Sequence, residues 1–374
     1  VTSTVRTIGI IGGGQLGRMS AVAAQRLGLR VHILTPEADA PALQVASSAT
    51  IGAYDDPDVL RRFAEAVDVV TFEFENISAE GLELLETMRP VRPAGRILAL
   101  SQDRIIEKQS LEAAGLRIAP WKPVHEEADI DTAVATLGLP LILKSARGGY
   151  DGKGQFRIRS ADDLACLDHG ALPYPMVAEA VVDFARELSV MVARGTDGNC
   201  RTFAVTENHH ANGILDLSLA PAQVTNDVAA DAAALAMQLA VALDLVGIMG
   251  VEMFQTSDDA LLVNEIAPRP HNSGHWTMNA CLIDQFEMHV RAVANLPMPD
   301  PSRFADAAMK NLVGPDAMAL CPEILQTEGL ALHLYGKDSA RPGRKMGHVN
   351  LIFPKGGLPG LFGIADALGP LAAL

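Results

Sequence analysis

The sequence predicts a mixed architecture of α/β and α+β character: a doubly wound parallel sheet first, a hairpin-rich middle, and a small β-rich unit last. Three observations carry this expectation. Over the first hundred residues apolar strand runs alternate with helical runs, the pattern of a parallel sheet wound on both faces. From Pro120 onward, short strand-like runs bounded by turn residues take over, which reads as hairpins. Finally, Leu296-Pro-Met-Pro-Asp-Pro301 cannot continue a helix and marks a boundary. The expected domains are 1–103, 104–296 and 297–374.

In the first domain Val5 to Ile11, Val31 to Leu34 and Val67 to Phe74 read as strands, and Gln15 to Leu27 and Pro57 to Ala66 as helices. Ser101-Gln-Asp103 supplies a side-chain cap for a helix running to Gly115, a glycine suited to ending it. In the second domain Leu141 to Lys144 pairs with Gln155 to Ile158. Strands Met176 to Ala180 and Glu187 to Ala193 follow, then an alanine-rich helix from Asp227 to Leu243.

Of the 374 residues, 49% are hydrophobic and 20% charged, as in ordinary globular proteins. A formal net charge of −15 argues against nucleic-acid or membrane-surface partners, which call for a basic footprint. Cys166, Cys200, Cys281 and Cys321 are far apart and lack metal-ligand or redox spacing, so they read as reduced thiols of a cytoplasmic protein. No apolar run has the length of a membrane span, and no secretory leader pattern is seen.

The loop Gly148-Gly149-Tyr150-Asp151-Gly152-Lys153-Gly154-Gln155 joins two strand-like runs, so it is the tip of a hairpin rather than a phosphate loop opening a helix. Its glycines let backbone N–H groups approach phosphate oxygens, and Lys144 and Lys153 add mobile point charges. Such a flap suits ATP; the competing reading is a surface hairpin with basic decoration.

Further along, a tight turn centred on Asp258 and Asp259 places Glu252 directly opposite Glu265 on one face of a hairpin. Two facing carboxylates repel unless a cation lies between them, and Mg²⁺ bound by carboxylates and phosphates resolves the conflict. In an ideal strand Asn264 points to the opposite face from Glu265. The next loop carries Arg269, His271 and Asn272, well placed to orient a polar substrate. Near the C-terminus Lys337, Arg341, Arg344 and Lys345, followed by His348, form a basic cluster that suits a phosphate monoester. At the other end Gly12-Gly-Gly-Gln-Leu-Gly17 fits a dinucleotide fingerprint, and Glu73 and Glu75 share a face at the end of a later strand.

On these motifs the chain resembles the ATP-grasp enzymes, and among them the N5-carboxyaminoimidazole ribonucleotide synthetase family of purine biosynthesis. The resemblance runs from Ile11-Gly-Gly-Gly-Gln-Leu-Gly-Arg18 through Gly148 to Gly154, Asn264-Glu-Ile-Ala-Pro-Arg269 and His271-Asn-Ser-Gly-His-Trp276 to Arg341-Pro-Gly-Arg-Lys-Met-Gly-His348. It implies an ATP-grasp fold with ATP between two lobes of the central domain. It implies ATP contacts from Arg104, Lys144, Gly149 to Gln155, Glu179, Ala180, Val181, Val182, Glu187, His210, Asn264 and Glu265, with magnesium on Glu252 and Glu265. Ribonucleotide contacts would come from Gln15, Leu16, Glu73, Tyr150, Arg269, His271, Asn272, Lys337, Arg344 and Lys345. Asp151, Lys153, Arg269 and His271 would organise carboxylation. The implied reaction joins ATP, bicarbonate and 5-aminoimidazole ribonucleotide, and the implied assembly is a homodimer. Two departures stand out: Ala267 where many members have asparagine, and Lys153 where some have arginine. Three other readings stay open: another ATP-grasp ligase acting on a phosphorylated amine, a nicotinamide-dependent oxidoreductase built on Gly12 to Gly17, and a non-catalytic nucleotide-binding module.

Overall fold

The computed structural model describes residues 4–149 and 154–373. Of the expected site residues, Tyr150, Asp151, Gly152 and Lys153 lie outside the described residues.

At the N-terminus β1 (Thr7–Ile11), α1 (Gln15–Arg26), β2 (Arg30–Thr35), β3 (Ser48–Ile51), α2 (Pro57–Glu65) and β4 (Val69–Phe72) form a parallel sheet in the order β3-β2-β1-β4. Its inner strands are apolar without alternation because helices cover both faces. Met19, Ala23 and Ala24 of α1 pack on one side and Val59, Leu60 and Phe63 of α2 on the other. β3 escaped the sequence reading because, as an exposed edge strand, it carries no apolar run. After β4 come α3 (Ala79–Glu86) and α4 (Gly95–Ser101), also unforeseen, and then α5 (Arg104–Ala113). Asp103 caps α5 by accepting the Ile105 and Ile106 N–H groups at 3.0 and 3.4 Å, and Gly115 ends it at φ +76°.

The next lobe comprises β5 (Trp121–Val124), α6 (Glu127–Leu137), β6 (Leu141–Ser145), β7 (Gln155–Ile158), α7 (Ala161–Ala165) and β8 (Met176–Ala180). Its antiparallel sheet has the order β5-β8-β6-β7, and the β6–β7 pair runs in the expected register, Leu141 opposite Ile158 and Lys144 opposite Gln155. The helix α6 is an addition to the expected hairpins; it buries only Ile130 and Ala133, too few apolar positions to show a stripe in sequence.

The remaining strands are β9 (Phe184–Arg194), β10 (Cys200–Thr202), β11 (Thr206–Ala211), β12 (Ile214–Ala220), β13 (Gly247–Thr256), β14 (Leu261–Ala267), β15 (Ala305–Val313), β16 (Leu330–Leu334) and β17 (Lys345–Pro354). They form one sheet in the order β14-β13-β9-β11-β12-β15-β17-β16, with β10 on β9. The sheet is continuous across the proline stretch, since β12 pairs with β15 from Leu217 opposite Lys310 to Ala220 opposite Ala307. The helix α8 (Asn226–Ala242) buries Val228, Ala232, Ala236 and Leu239, a three-to-four-residue stripe whose small side chains let it lie close on β9 and β13. Two helices, α9 (Thr277–Ala280) and α10 (Gln285–Val293), follow β14, and Phe286, Val290 and Val293 of α10 join the core beneath α1. The four cysteines are free thiols, and no described helix is long and apolar enough to cross a membrane.

Candidate active site

A cleft of about 750 Å³ opens between the two antiparallel sheets and is walled at one end by the parallel-sheet domain. All three expected domains contribute to its lining, including Gln15 and Glu73 from the first, Lys144, Glu179, Glu187, His210, Glu252 and Glu265 from the second, and Tyr335 and Lys345 from the third.

Glu252 faces Glu265 across the β13–β14 ladder, as the sequence predicts, though the turn is different. Gln255 pairs with Leu261, leaving a five-residue connection 256–260 in which Thr256 N–H donates to the Ala260 carbonyl at 2.9 Å and Asp259 has φ +64°. A bulge then restores the register: Met253 lies opposite Val263 and Glu252 opposite Glu265, so Asn264 is the extra residue. That corrects the expectation for Asn264. Both Asn264 and Glu265 line the cleft.

Burial, and then the facing Glu265, push the Glu252 carboxyl well above the usual carboxylate range. Glu265 goes the other way: against the upward push of burial, Arg104 and Lys144 hold it below its ordinary value, with Arg104 Nη1 at 3.0 Å. Behind them Glu107 accepts the Ile266 N–H at 2.9 Å, and burial together with Glu265 pushes its carboxyl up to about 8. A facing carboxylate pair suits a hard cation. Among the described residues no group of three or more His, Cys, Asp and Glu side chains could hold a metal alone. Mg²⁺ held by one or two carboxylates takes waters and phosphate oxygens as its other ligands.

Two lysines flank the pair. Lys144 and Lys108 clamp the buried Glu179 at 2.8 and 3.0 Å, and against the push of burial they keep its carboxyl below the ordinary range. Arg104 also donates to the Gly149 carbonyl at 3.0 Å, tying the base of the glycine-rich loop to α5. Gln155 and the segment Ala180, Val181 and Val182 line the same cleft, next to Phe184, which stacks on Phe254 at 4.7 Å. Gly154 holds φ +69°, a left-handed conformation that favours glycine. His210 pairs with Glu187, which raises its pKa against the opposing effect of burial.

From the loop after β14, Arg269 reaches Glu75 at 2.6 Å and His271 Nε2 lies 3.3 Å from Glu252 Oε1. Burial, and then Arg269, hold His271 well below the usual histidine range, so the ring is neutral. Asn272 exchanges two amide hydrogen bonds with Asn311 of β15, at 3.0 and 2.8 Å.

At the far end Glu73 follows β4, beside the switch point between β1 and β4 where ligands of such sheets bind. Its buried carboxyl, pushed up by burial against the pull of these bonds, accepts the N–H groups of Gly14 and Gly17, so the amides at the start of α1 are already in use. A Cβ at Gly14 would meet Glu73 Oε1 at 2.6 Å, which is why glycine stands there. Lys345 lines the cleft, while Lys337 donates to the Lys345 carbonyl at 2.7 Å and Arg344 to the Ser339 carbonyl at 2.9 Å, both outside the direct lining. Burial and then Arg344 lower Lys337 to about 8, with Glu73 opposing. His348 does not join the cluster: it is fully buried, with Nδ1 3.0 Å from the Tyr335 hydroxyl.

Glu107, Lys108, Tyr335 and Asn311 were not anticipated, whereas Glu75 stands where the sequence placed it, beside Glu73. A signal for the first two exists: Arg104, Glu107, Lys108 and Leu111 follow the i, i+3, i+4, i+7 spacing of a helix face, so charges occupy a stripe that should be apolar.

Residues 109–286 match the family model of the ATP-grasp domain, residues 5–102 that of the ribonucleotide synthetase preATP-grasp domain, and residues 307–356 that of the phosphoribosylaminoimidazole carboxylase C-terminal domain. The N5-carboxyaminoimidazole ribonucleotide synthase of Brucella melitensis biotype 1 is 48% identical over 351 residues, covering 93% of this chain and 97% of that protein. The Staphylococcus aureus N5-carboxyaminoimidazole synthetase complexed with ADP superposes with a TM-score of 0.89 at 39% identity, covering 94% of each chain. The Aspergillus clavatus synthase in complex with ADP and 5-aminoimidazole ribonucleotide gives 0.90 at 31% identity, covering 98% of each.

Proposed function

The chain belongs to the N5-carboxyaminoimidazole ribonucleotide synthase family, and from that membership we propose how its own residues divide the work. It is an ATP-dependent carbon–nitrogen ligase of purine biosynthesis that carboxylates 5-aminoimidazole ribonucleotide to N5-carboxyaminoimidazole ribonucleotide, with ATP and Mg²⁺. The nicotinamide reading is overturned, both by this membership and by the Glu73 carboxylate seated on the Gly14 and Gly17 amides.

The observation that carries the assignment is the convergence, in one cleft, of the Glu252 and Glu265 pair, the Lys144 cation, the His271 loop and Lys345. ATP lies along Lys144, Glu179 to Val182, Glu187, His210 and Asn264, its base against the apolar stretch near Phe184. Glu252 and Glu265 would hold Mg²⁺, which when bound neutralises charge on the phosphates. Arg104 and Lys144 bring positive charge to the same place. A bicarbonate oxygen attacks the γ-phosphorus, ADP leaves, and the carboxyphosphate breaks down to carbon dioxide and phosphate. The N5 amine then bonds to the carbon and gives up a proton. Catalysis here is mostly positioning and charge stabilisation.

The ribonucleotide sits between Gln15, Leu16 and Glu73 on one side and Lys337, Arg344 and Lys345 on the other, with Arg269, His271 and Asn272 beside the amine. The sequence of the flap assigns Gly149 and Gly152 to phosphate approach and Tyr150, Asp151 and Lys153 to the carboxylation side. A closed flap protects an intermediate that water destroys. The division at 103/104 and 296/297, a cytoplasmic location and a homodimer complete the proposal. Phosphate release measured with and without bicarbonate and aminoimidazole ribonucleotide tests it: release should depend on both, and release that ignores both points to another acceptor.

A further inference from the structure

A continuous buried chain of hydrogen bonds ends on His271. Its Nδ1 faces Ser273 Oγ at 2.9 Å and the Ser273 backbone N–H at 3.4 Å. Ser273 Oγ lies 2.8 Å from Ser189 Oγ on β9, which lies 2.9 Å from Asn208 Nδ2 on β11, whose Oδ1 accepts from Ser218 Oγ on β12 at 2.8 Å. All four residues are buried, with Ser189 and Ser273 at 1% exposure, so water cannot replace a missing link. We propose that Asn208, Ser189 and Ser273 form a positioning relay that locks His271 in the Nε2–H tautomer and presents that proton to the cleft, as a hydrogen-bond donor rather than a base.

The proton count runs in one direction. An amide –NH₂ only donates, so Ser189 Oγ accepts from Asn208 and its own proton goes to Ser273. Ser273 Oγ is then an acceptor on that side, and its proton goes to His271 Nδ1. The far end gives the same answer independently. The Ser273 backbone N–H can only donate, which requires a bare Nδ1, and a neutral ring then carries its proton on Nε2. The opposite tautomer would set donor against donor at Nδ1. Gln285 fixes the backbone beneath the ring: its Oε1 accepts the His271 N–H at 3.0 Å and its Nε2 donates to the His271 carbonyl at 2.8 Å.

The role in carboxylation rests on the function proposed above; the tautomer does not. The test is ring-nitrogen NMR of full-length protein labelled with ¹⁵N-histidine, with the His271 signals assigned by their absence in His271→Asn. The wild type should show a protonated Nε2 and an unprotonated Nδ1, and a protonated Nδ1 overturns the proposal. Ser273→Ala should bring the two shifts toward each other and lower kcat on the order of tenfold with the KM for ATP unchanged. Ser273→Thr, which keeps the hydroxyl, should recover both. Asn208→Asp, whose carboxylate only accepts, should turn the hydroxyls round and loosen the tautomer as well. Unmoved shifts in Ser273→Ala overturn the relay, and moved shifts with unchanged kcat overturn its part in the reaction. A wild type with the predicted shifts but no bicarbonate-dependent turnover overturns the functional reading and with it the relay's catalytic part.

Discussion

Glu73 Oε2 accepts the backbone N–H of Gly17 at 2.7 Å, placing a carboxylate where a dinucleotide fold would place a pyrophosphate. A phosphate at that helix start would find these amides already in use. NAD should therefore leave the melting temperature unchanged. Mg²⁺–ADP at a hundredfold its Kd should add about 2.7 kcal/mol of stability. A thermal-shift titration reads both, and stabilisation by NAD alone contradicts the assignment.

Replacing the same carboxylate with an amide, Glu73→Gln, turns one of its two acceptor oxygens, Oε1 for Gly14 and Oε2 for Gly17, into a donor. One buried N–H loses its partner, at a cost of about 1–3 kcal/mol in urea denaturation. The KM for the ribonucleotide should rise while the KM for ATP holds. Equal rises in both would mean that Glu73 serves the whole cleft rather than its ribonucleotide end.

The sequence showed the Glu252 and Glu265 pairing, but through two errors that cancel. The strands pair one residue sooner than a two-residue turn at Asp258 and Asp259 implies, Gln255 facing Leu261 rather than Leu262, and the bulge at Asn264 supplies the missing residue. Local rules see a turn and a period of two; a bulge is fixed by the neighbouring strand, which no local pattern reports. The Asp103 cap and the Leu141 to Ile158 hairpin were legible because their causes lie within a few residues. Asn311 was not, because its partner Asn272 is 39 residues away on another element. His348 misled for a related reason: sequence proximity to Lys345 says nothing of the strand face that buries it.

Lys337 gives a pH dependence with two opposite signs. Burial, and then Arg344, lower it to about 8 from 10.5, so its charge is lost as pH rises through 8. Attraction for the ribonucleotide phosphate goes with it, and kcat/KM for that substrate should fall above pH 8. Stability responds the other way. A lysine depressed in the folded state contributes stability that is full above pH 10.5 and lost as pH falls through 8. Lys337→Arg, charged throughout this range, should remove the alkaline limb of kcat/KM. A limb that survives the substitution belongs to another group.

Asn311 is the support that β15 gives to Asn272. Asn311→Ala leaves the Asn272 amide without its two partners and the Leu215 carbonyl without the donor at 2.7 Å. The loss should be about 1–3 kcal/mol in stability. The KM for the ribonucleotide should rise by several-fold, and ATP binding followed by calorimetry should not change. Unaltered ribonucleotide kinetics would remove Asn272 from the substrate contacts.

The opposed carboxylates set function against stability. In metal-free protein, burial and Glu265 hold the Glu252 carboxyl above its ordinary 4.5, so the folded state keeps a proton that the unfolded chain releases. The contribution is full below pH 4.5 and is lost as pH rises through the raised folded value. Glu252→Gln keeps the shape, still accepts from His271 and cannot ionise. Its urea midpoint, measured in a metal chelator, should be flatter between pH 5 and 9 than that of the wild type and should lie above it at the alkaline end. Turnover with saturating ATP should fall on the order of a hundredfold, the scale of losing a charge-stabilising group. Excess Mg²⁺ should restore little of it. A variant that is both less stable at pH 9 and fully active would separate this pair from the cation site, because relief of repulsion and loss of a ligand are two consequences of one missing charge.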